Sequence, residues 1–271
     1  MKKRFIAIVT ICAMALTLIL AGCGSKFTYD NADKYSKGGG SIENGTRVEN
    51  VEITWIKGAV VVQYGAVEQI TFSETGDKAL SDDEEMRYWQ DGETLSIMPC
   101  KSGVYSTGFR NKTLTLTLPE GEDLTRLEIK TVSASATVNE INVGNARMES
   151  VSGNVTLNDV DISDVEVDNV SGEFDASFIS VNNLDIHNVS GDVSTVFKAG
   201  VPSLLEISTV SSNVQMTFLP VDFEITYATI SGIFYCEYET TVTGNTYCRG
   251  TGGAIFRVET VSGNLSVYEL K

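Results

Sequence analysis

Residues 148–178 read MESVSGNVTLNDVDISDVEVDNVSGEFDASF and contain a Val-Ser-Gly unit twice, at 151–153 and 170–172. The same unit, with Val or Ile first and Ser second, recurs through the second half of the chain. Its first residues are Val132, Val151, Val170, Val189, Val210, Ile230 and Val261, so successive spacings are 19, 19, 19, 21, 20 and 31 residues. A period near 20 residues is typical of a solenoid, in which each repeat forms one coil that stacks on its neighbours.

Apolar residues inside each repeat recur at a spacing of two, which indicates strands. With the Val or Ile counted as position 0, the apolar positions are −5, −3, +4 and +6, followed in several repeats by +9 and +11. In the third repeat these are Val165, Val167, Phe174, Ala176, Ile179 and Val181. We therefore predict an all-β fold, a single-stranded β-solenoid resembling a parallel β-helix, with coils of about 20 residues.

The Val-Ser-Gly unit itself is interpreted as a corner between two strands of a coil. Glycine permits a positive φ at such a corner at no steric cost. Position 0 is expected to point inward, so that Val170→Asp would unfold the domain. The small polar residue at position −1, such as Ser150 or Asn169, is expected to form a hydrogen-bonded ladder between coils.

The N-terminus has the pattern of a secretion signal. Met1-Lys2-Lys3-Arg4 precedes a mostly apolar run from Phe5 to Leu20, and the run ends in Leu20-Ala21-Gly22-Cys23. This last stretch resembles the bacterial lipobox, which implies cleavage before Cys23 and lipidation of its thiol. We predict a lipoprotein signal peptide at 1–22, a lipidated Cys23 with a flexible tether at 23–46, and a solenoid at 47–271. Within the solenoid, 47–126 forms irregular first coils and a cap, and 127–271 forms the regular coils.

The charge and the scarcity of reactive side chains exclude several classes of function. The net charge is −16, from 20 Lys and Arg against 36 Asp and Glu, so the surface repels phosphates and nucleic acid is excluded as a partner. The chain has one histidine, His187, and no Cys-x-x-Cys, so neither a metal site nor another cofactor is expected. We find no nucleophile elbow, phosphate-binding loop or zinc-protease motif, and predict that the protein is not an enzyme.

One acidic constellation stands out at positions −4 and −2 of adjacent coils. It consists of Glu149, Glu166, Asp168, Asp185 and Glu206. Stacked like charges would attract a divalent cation or a basic partner, although a solvated acidic face that resists aggregation explains the same pattern.

Cys236 and Cys248 flank the long insertion between the last two repeats, and they are the candidate disulfide. Against the disulfide, Cys236 falls at position +6, where a free thiol is a good small core side chain. The irregular N-terminal part holds a group of aromatic residues that either pack the cap or form a recognition patch. These residues are Trp55, Tyr88, Trp89, Tyr105 and Phe109.

The lipobox, the stretch VEITWIKGAVVV at 51–62, the stretch LTLTLP at 114–119 and the Val-Ser-Gly coils together resemble the bacterial "putative adhesin" family of domains of unknown function. The resemblance covers about 47–271 and implies a cell-envelope location and a solenoid shape, but no site residues. Ser133-Ala134 and Ser211-Ser212 depart from the Ser-Gly pattern.

We accordingly predict a lipoprotein on the extracytoplasmic face of the cell membrane that acts as a structural or adhesion module and binds an envelope protein or a glycan. The alternative is an accessory regulatory or sensory envelope lipoprotein. A polysaccharide-active β-helix enzyme ranks third.

Overall fold

The computed structural model describes residues 26–42, 46–105 and 109–271, and these ranges form β-strands with one turn of 3₁₀ helix, Ala32–Lys34. The N-terminal strands are β1 (Lys26–Phe27), β2 (Ser36–Lys37), β3 (Gly40–Ser41), β4 (Asn50–Gly65), β5 (Thr71–Gly76), β6 (Arg87–Asp91), β7 (Thr94–Met98), β8 (Val104–Tyr105) and β9 (Lys112–Pro119). The central strands are β10 (Leu124–Asn139), β11 (Asn142–Ser150), β12 (Val155–Ser171), β13 (Phe174–Ser190), β14 (Val193–Phe197), β15 (Leu204–Ser211) and β16 (Val214–Phe218). The C-terminal strands are β17 (Phe223–Ser231), β18 (Phe234–Cys236), β19 (Thr241–Thr243), β20 (Thr246–Arg249), β21 (Ala254–Ser262) and β22 (Leu265–Glu269).

Equivalent residues of neighbouring repeats lie side by side in parallel strands. Ala146 of β11 pairs with Val165 of β12, and Val165 pairs with Leu184 of β13. The side chains of Asn139 and Asn158, 19 residues apart, hydrogen-bond across adjacent coils at 2.9 Å. The prediction of an all-β, solenoid-like fold is confirmed.

The coils build two sheet faces that meet at the Val-Ser-Gly corners. The first face runs in the order β2–β6–β7–β4–β10–β11–β12–β13–β15–β21–β17–β20–β19. The second face runs in the order β3–β5–β9–β4–β10–β12–β13–β14–β16–β22–β18. Long strands such as β4, β10, β12 and β13 contribute to both faces.

The last coil of the chain does not lie at the end of the stack. β21 pairs with β15 on one side and with β17 on the other, and β22 lies between β16 and β18 in the same way. The C-terminal coil is therefore inserted between the two repeats that precede it in sequence. The repeat positions could not predict this order, because all coils present the same apolar face to a neighbour.

Position 0 of the corner does not point into the core as we predicted. It is only half-buried, as at Val170, whereas Asn169 at position −1 is buried, so the inward placement on which the Val170→Asp expectation rested is wrong. The inward polar side chains serve mainly their own corner: Asn169 Nδ2 donates to the Gly172 carbonyl at 2.6 Å. A bond between coils joins Thr131 Oγ1 to Ser150 Oγ at 3.0 Å. Buried polar atoms need such partners, which accounts for Thr131, Ser150 and Asn169 at this position, whereas the buried hydroxyls of Thr209 and Thr260 have no hydrogen-bond partner among the described residues.

The orientation of the apolar residue at position +9 also differs between early and late coils. In early coils Ile141 and Val160, at position +9, point into the core after a residue with positive φ, Glu140 or Asp159. In the next coil Phe178, at position +8, is buried, and Ile179, at the predicted position +9, is 41% exposed. The register shifts at this point between β12 and β13 accordingly.

The corner glycines are required chiefly by close backbone contact rather than by φ. A Cβ on Gly153 would lie 1.9 Å from the Ala134 carbonyl oxygen, and a Cβ on Gly172 would lie 2.3 Å from the Gly153 carbonyl oxygen. The corners at Gly153 and Gly172 therefore pack backbone against backbone on the corner of the adjacent coil and leave no room for a Cβ, whereas Ala134 and Ser212 occupy the same position in two other coils.

The segment predicted as a flexible tether is docked wherever the structure describes it. β1 pairs with β8, β2 with β6, and β3 with β5, all antiparallel, and Ile42 is buried in the core. Phe27, Tyr29 and Tyr35 of this segment pack against one another and against Phe109 and Trp89, which the prediction of a flexible tether did not foresee. Over the described residues, no helix has the length and apolarity needed to cross a membrane.

Candidate functional site

Two columns of outward side chains run along the first sheet face, at positions −4 and −2. In the −4 column Arg147 lies beside Glu166, Glu166 beside Asp185, and Asp185 beside Glu206. In the −2 column Glu149 lies beside Asp168 and Asp168 beside His187. Neighbouring strands are about 4.8 Å apart, so charged groups in a column interact directly.

The five predicted acidic residues do share this face, but basic residues that we did not weigh lie among them. Arg147 Nε is 2.8 Å from Glu149 Oε1, its Nη2 is 2.8 Å from Asp168 Oδ2, and its Nη1 pairs with Glu166. At the other end of the face Arg257 Nη1 is 2.9 Å from Glu206 Oε1. Arginines at position −4 of two repeats were the available signal. The acidic row Glu166, Asp185 and Glu206 is thus flanked at its two ends by the ion-paired Arg147 and Arg257.

Asp168 is the most enclosed of the five acidic residues, at 8% exposed. Burial raises its pKa, although Arg147 acts in the opposite direction. Beside it, His187 Nε2 lies 3.6 Å from Asp185 Oδ1 on the same strand. Across the described ranges, the His, Cys, Asp and Glu side chains form no cluster suited to a metal ion.

A groove of about 640 Å³ lies next to these columns and crosses strands β4, β10, β11, β12, β13 and β15. Six strands at about 4.8 Å spacing give it a length of about 24 Å. It is lined mainly by residues at positions −6, −5 and −4 of successive coils. Its lining residues are Asn50, Thr125, Arg126, Asn145, Ala146, Arg147, Asp164, Val165, Glu166, Asn183, Leu184, Asp185, Leu204 and Glu206.

The groove offers both hydrogen-bond donors and acceptors. Asn145, Asp164 and Asn183 are exposed in consecutive coils, and Asn183 Nδ2 donates to Asp164 Oδ1 at 2.6 Å. The two arginines lie towards β10 and β11, and the carboxylates towards β12, β13 and β15. Such an open row of amides, carboxylates and guanidinium groups suits an extended polar ligand.

The cysteine predictions have different outcomes. Cys23 lies outside the described residues. Cys100, Cys236 and Cys248 are free thiols, so the candidate disulfide is absent. Cys236 lies on β18 beside Val267, with burial raising its thiol pKa, whereas Cys248 lies on β20 beside Glu224. The two cysteines therefore lie on different faces. The insertion pairs through β20 with β17 of the first face, whereas Cys236 lies on β18 of the second face.

The aromatic group mainly packs the N-terminal end. Trp55 is fully buried and its Nε1 donates to the Lys112 carbonyl at 3.0 Å. Trp89 packs against Tyr35, with ring centroids 5.7 Å apart, while Tyr105 is half exposed. These side chains hold the docked segment rather than forming one continuous outer patch.

A family model described as Toastrack DUF4097 matches residues 48–233, more than half of the chain. The chain belongs to the Toastrack family. This family is a domain of unknown function, so membership establishes the fold of this Toastrack chain and assigns it no ligand. No curated protein matches the chain.

Three solved structures are similar to this chain at low identity. A "putative cell adhesion protein" from Clostridium sporogenes has 13% identity and a TM-score of 0.43, covering 88% of this chain and 100% of that one. A "putative adhesin" from Bacteroides fragilis has 12% identity and a TM-score of 0.47, covering 88% and 97%. A "putative lipid binding protein" from Parabacteroides distasonis has 14% identity and a TM-score of 0.43, covering 86% and 96%.

Proposed function

We propose that this Toastrack protein is a non-enzymatic binding module, held on the outer side of the cell membrane by lipid on Cys23, that binds a glycan along its groove. The groove is the observation on which the proposal rests, because it presents a repeated row of polar side chains over about 24 Å.

A glycan fits this row because each of its hydroxyl groups both donates and accepts hydrogen bonds. The amides of Asn145 and Asn183 and the carboxylate of Asp164 complement such groups in consecutive coils. The net charge of −16 disfavours strongly anionic polymers, so a neutral or weakly charged glycan is the best match.

The surroundings of the carboxyl groups support binding without turnover. Glycosidases need a carboxylic acid with a raised pKa facing the ligand. Asp168, whose pKa is raised by burial, does not line the groove. Of the four carboxyl groups that line it, those of Glu166 and Glu206 are ion-paired with Arg147 and Arg257, that of Asp164 accepts a hydrogen bond from Asn183, and that of Asp185 lies 3.6 Å from His187.

A binding assay with matched variants tests the glycan proposal. The full-length protein is incubated with a panel of cell-wall glycans, and the bound fraction and the glycan length are measured. Asp164→Lys, in the groove, should reduce binding at least tenfold. Asp175→Lys, an equally exposed carboxylate on the second face, should not. Equal loss in both variants, capture of a protein instead of a glycan, or shortened glycan chains would contradict the proposal.

The membrane anchor is tested separately. Replacing Cys23 with Ala removes the lipid acceptor, and the net charge of −16 disfavours electrostatic binding to anionic lipid. We expect the variant in the soluble fraction and the unsubstituted protein in the membrane fraction after a high-salt wash. Retention of the Cys23→Ala variant would contradict the anchor.

A further inference from the structure

The two sheet faces end differently at the C-terminal end of the stack. On the first face the terminal coil strand, β17, is covered by the antiparallel hairpin β20–β19. On the second face the stack stops at β18, which pairs only with β22 among the described strands. At the opposite end both faces finish in antiparallel pairs, β7 with β6 and β9 with β5.

A series of backbone hydrogen bonds shows what β18 lacks. In each coil the N–H at position +4 donates to the carbonyl at position +3 of the next coil in the stack. The donors and acceptors are Ala136 and Asn154, Val155 and Glu173, Phe174 and Asp192, Val193 and Asn213, Val214 and Asn264, and Leu265 and Ile233. The series stops at Phe234, the position +4 residue of β18, because no coil of the described chain follows it.

The same strand breaks the polar pattern of the repeat. Position +3 is Ser, Asn, Glu or Asp in every other repeat but is Ile233 here, and position +5 is Thr, Asp, Ser or Gln elsewhere but is Tyr235 here. Ile233 is 72% exposed and Tyr235 is 50% exposed. Ile230, at position 0, is 76% exposed, whereas the equivalent Val is half-buried in the other coils. An open strand edge bearing large apolar side chains is a template for another strand.

We propose that β18 pairs with β18 of a second copy of this chain, antiparallel and about a two-fold axis. The outermost strands at the N-terminal end, Ser36–Lys37 and Gly40–Ser41, are two residues long and polar, as protected edges are. The edge of a second copy that matches the apolar edge of β18 is therefore β18 itself. An isologous contact of this kind closes at two copies and does not grow into a filament.

The backbone limits the registers that the pair can adopt. The Ile233 carbonyl and the Glu237 N–H already bond to β22, so Phe234 and Cys236 direct their N–H and C=O groups to the open edge. The register that pairs both of these residues in each copy places Phe234 opposite Cys236 of the other copy, with the two Tyr235 residues facing each other at the axis. In such a non-hydrogen-bonded pair the Cα atoms are about 4.5 Å apart, within disulfide reach.

Disulfide trapping in the full-length protein tests this register. Tyr235→Cys should give a cross-linked dimer under mild oxidation, at a yield at least fivefold above that of the unsubstituted chain with its native cysteines. Ser266→Cys is the matched control, because Ser266 is the register partner of Tyr235 on β22. The two Ser266 residues of the dimer would be about three strand spacings, or about 14 Å, apart, too far to cross-link.

A second variant separates specific pairing from random collision. Adding Ile233→Asn to Tyr235→Cys installs the residue that position +3 carries in three other repeats, and should lower the dimer yield severalfold without unfolding the protein. Equal yields at positions 235 and 266, no dimer at 235, or a cross-linked product whose mass differs from twice that of the chain would overturn the proposal.

Discussion

The two ends of the solenoid differ in how their outermost coil strands are covered. At the N-terminal end both faces are covered by antiparallel strands that are not part of the repeat, and the segment 26–42 packs outside them. At the C-terminal end one face is covered by a hairpin and the other finishes in a coil strand. A stack covered by foreign strands is sealed, whereas a stack that ends in its own repeat still presents a surface made for the next coil.

The N-terminal end is further secured by a buried ion pair. Lys112 Nζ is 2.6 Å from Glu74 Oε2, donates to the carbonyls of Pro99 and Glu84, and lies 4.8 Å from the Trp55 ring centroid. Lys112 and Glu74 are almost fully enclosed. Burial lowers the pKa of Lys112, and the Glu74 carboxylate opposes that change. One lysine thereby joins β5, β9 and both ends of the 84–99 segment.

The largest effect is expected when this ion pair is broken. Glu74→Ala leaves the Lys112 ammonium buried without its counter-ion, and should lower the free energy of unfolding by about 3–5 kcal/mol. Urea unfolding measures the change. Asp83→Ala, which breaks the exposed pair with Lys101, is the control and should cost about 0–1 kcal/mol. Similar losses in the two variants would show that Lys112 is not sealed by the N-terminal strands.

The side chain of Tyr238 closes the C-terminal end of the core, and we expect its removal to give the second-largest loss of stability. Tyr238 stacks on Phe218 with ring centroids 5.3 Å apart, and its hydroxyl donates to the Phe218 carbonyl. Tyr238→Ala should lower the free energy of unfolding by about 3 kcal/mol because it opens a cavity at the end of the core. Tyr235→Ala, on the exposed side of β18, should change it by less than about 0.5 kcal/mol. If both variants were equally stable, Tyr238 would not close the core.

A smaller effect, on the pH dependence of the free energy of unfolding, is expected from one tyrosine at each end. Burial raises the pKa of Tyr29 and of Tyr238 to about 12, above about 10 for an unfolded tyrosine. Each hydroxyl donates to a backbone carbonyl, that of Cys100 or Phe218. The folded state thus holds these protons more tightly, so their stabilisation is complete below pH 10 and is lost as the pH rises towards 12.

Phenylalanine variants isolate the two tyrosines. Tyr29→Phe and Tyr238→Phe should each cost about 1 kcal/mol below pH 10 and then show a shallower decline in stability between pH 10 and 12 than the unsubstituted protein. Exposed Tyr105→Phe serves as the control. Unfolding midpoints at pH 8, 10 and 11 provide the measurement. An unchanged slope in both variants would mean that these hydroxyls are not sequestered.

The sequence predicted the repeat well and its exceptions poorly, for physical reasons that particular residues make plain. The alternation of apolar residues at Val165 and Val167 indicates a buried strand face, and the 19-residue period indicates that successive coils stack. Which side of the Val170 corner points inward depends on hydrogen bonds formed by Asn169, which a hydropathy pattern does not contain. The order of β21 and β17 depends on contacts between equivalent coils, which the sequence leaves interchangeable.

The candidate site was predicted in part for a related reason. Periodicity placed Glu149 and Glu166 on one outward face, but the search was for like charges, and it passed over Arg147 in the same column. The groove has no sequence motif: its lining residues at position −6 vary between Asn, Arg, Asp and Leu from coil to coil. Only stacking turns those separated residues into a continuous surface.

The smallest effect on stability is expected at the exposed apolar residues of β18. Ile233→Asn replaces a side chain that is 72% exposed with the residue found at the same corner position of three other coils, where Asn154, Asn213 and Asn264 are tolerated. Because little apolar surface is buried by Ile233 in the single chain, the free energy of unfolding measured in dilute solution should change by less than about 0.5 kcal/mol. The same substitution should lower the dimer yield severalfold in the cross-linking assay. A large effect on dimer yield together with a small effect on stability would show that Ile233 serves association rather than folding. A loss above about 2 kcal/mol in dilute solution would instead place Ile233 in the core that closes the C-terminal end, and would make the two ends of the solenoid alike.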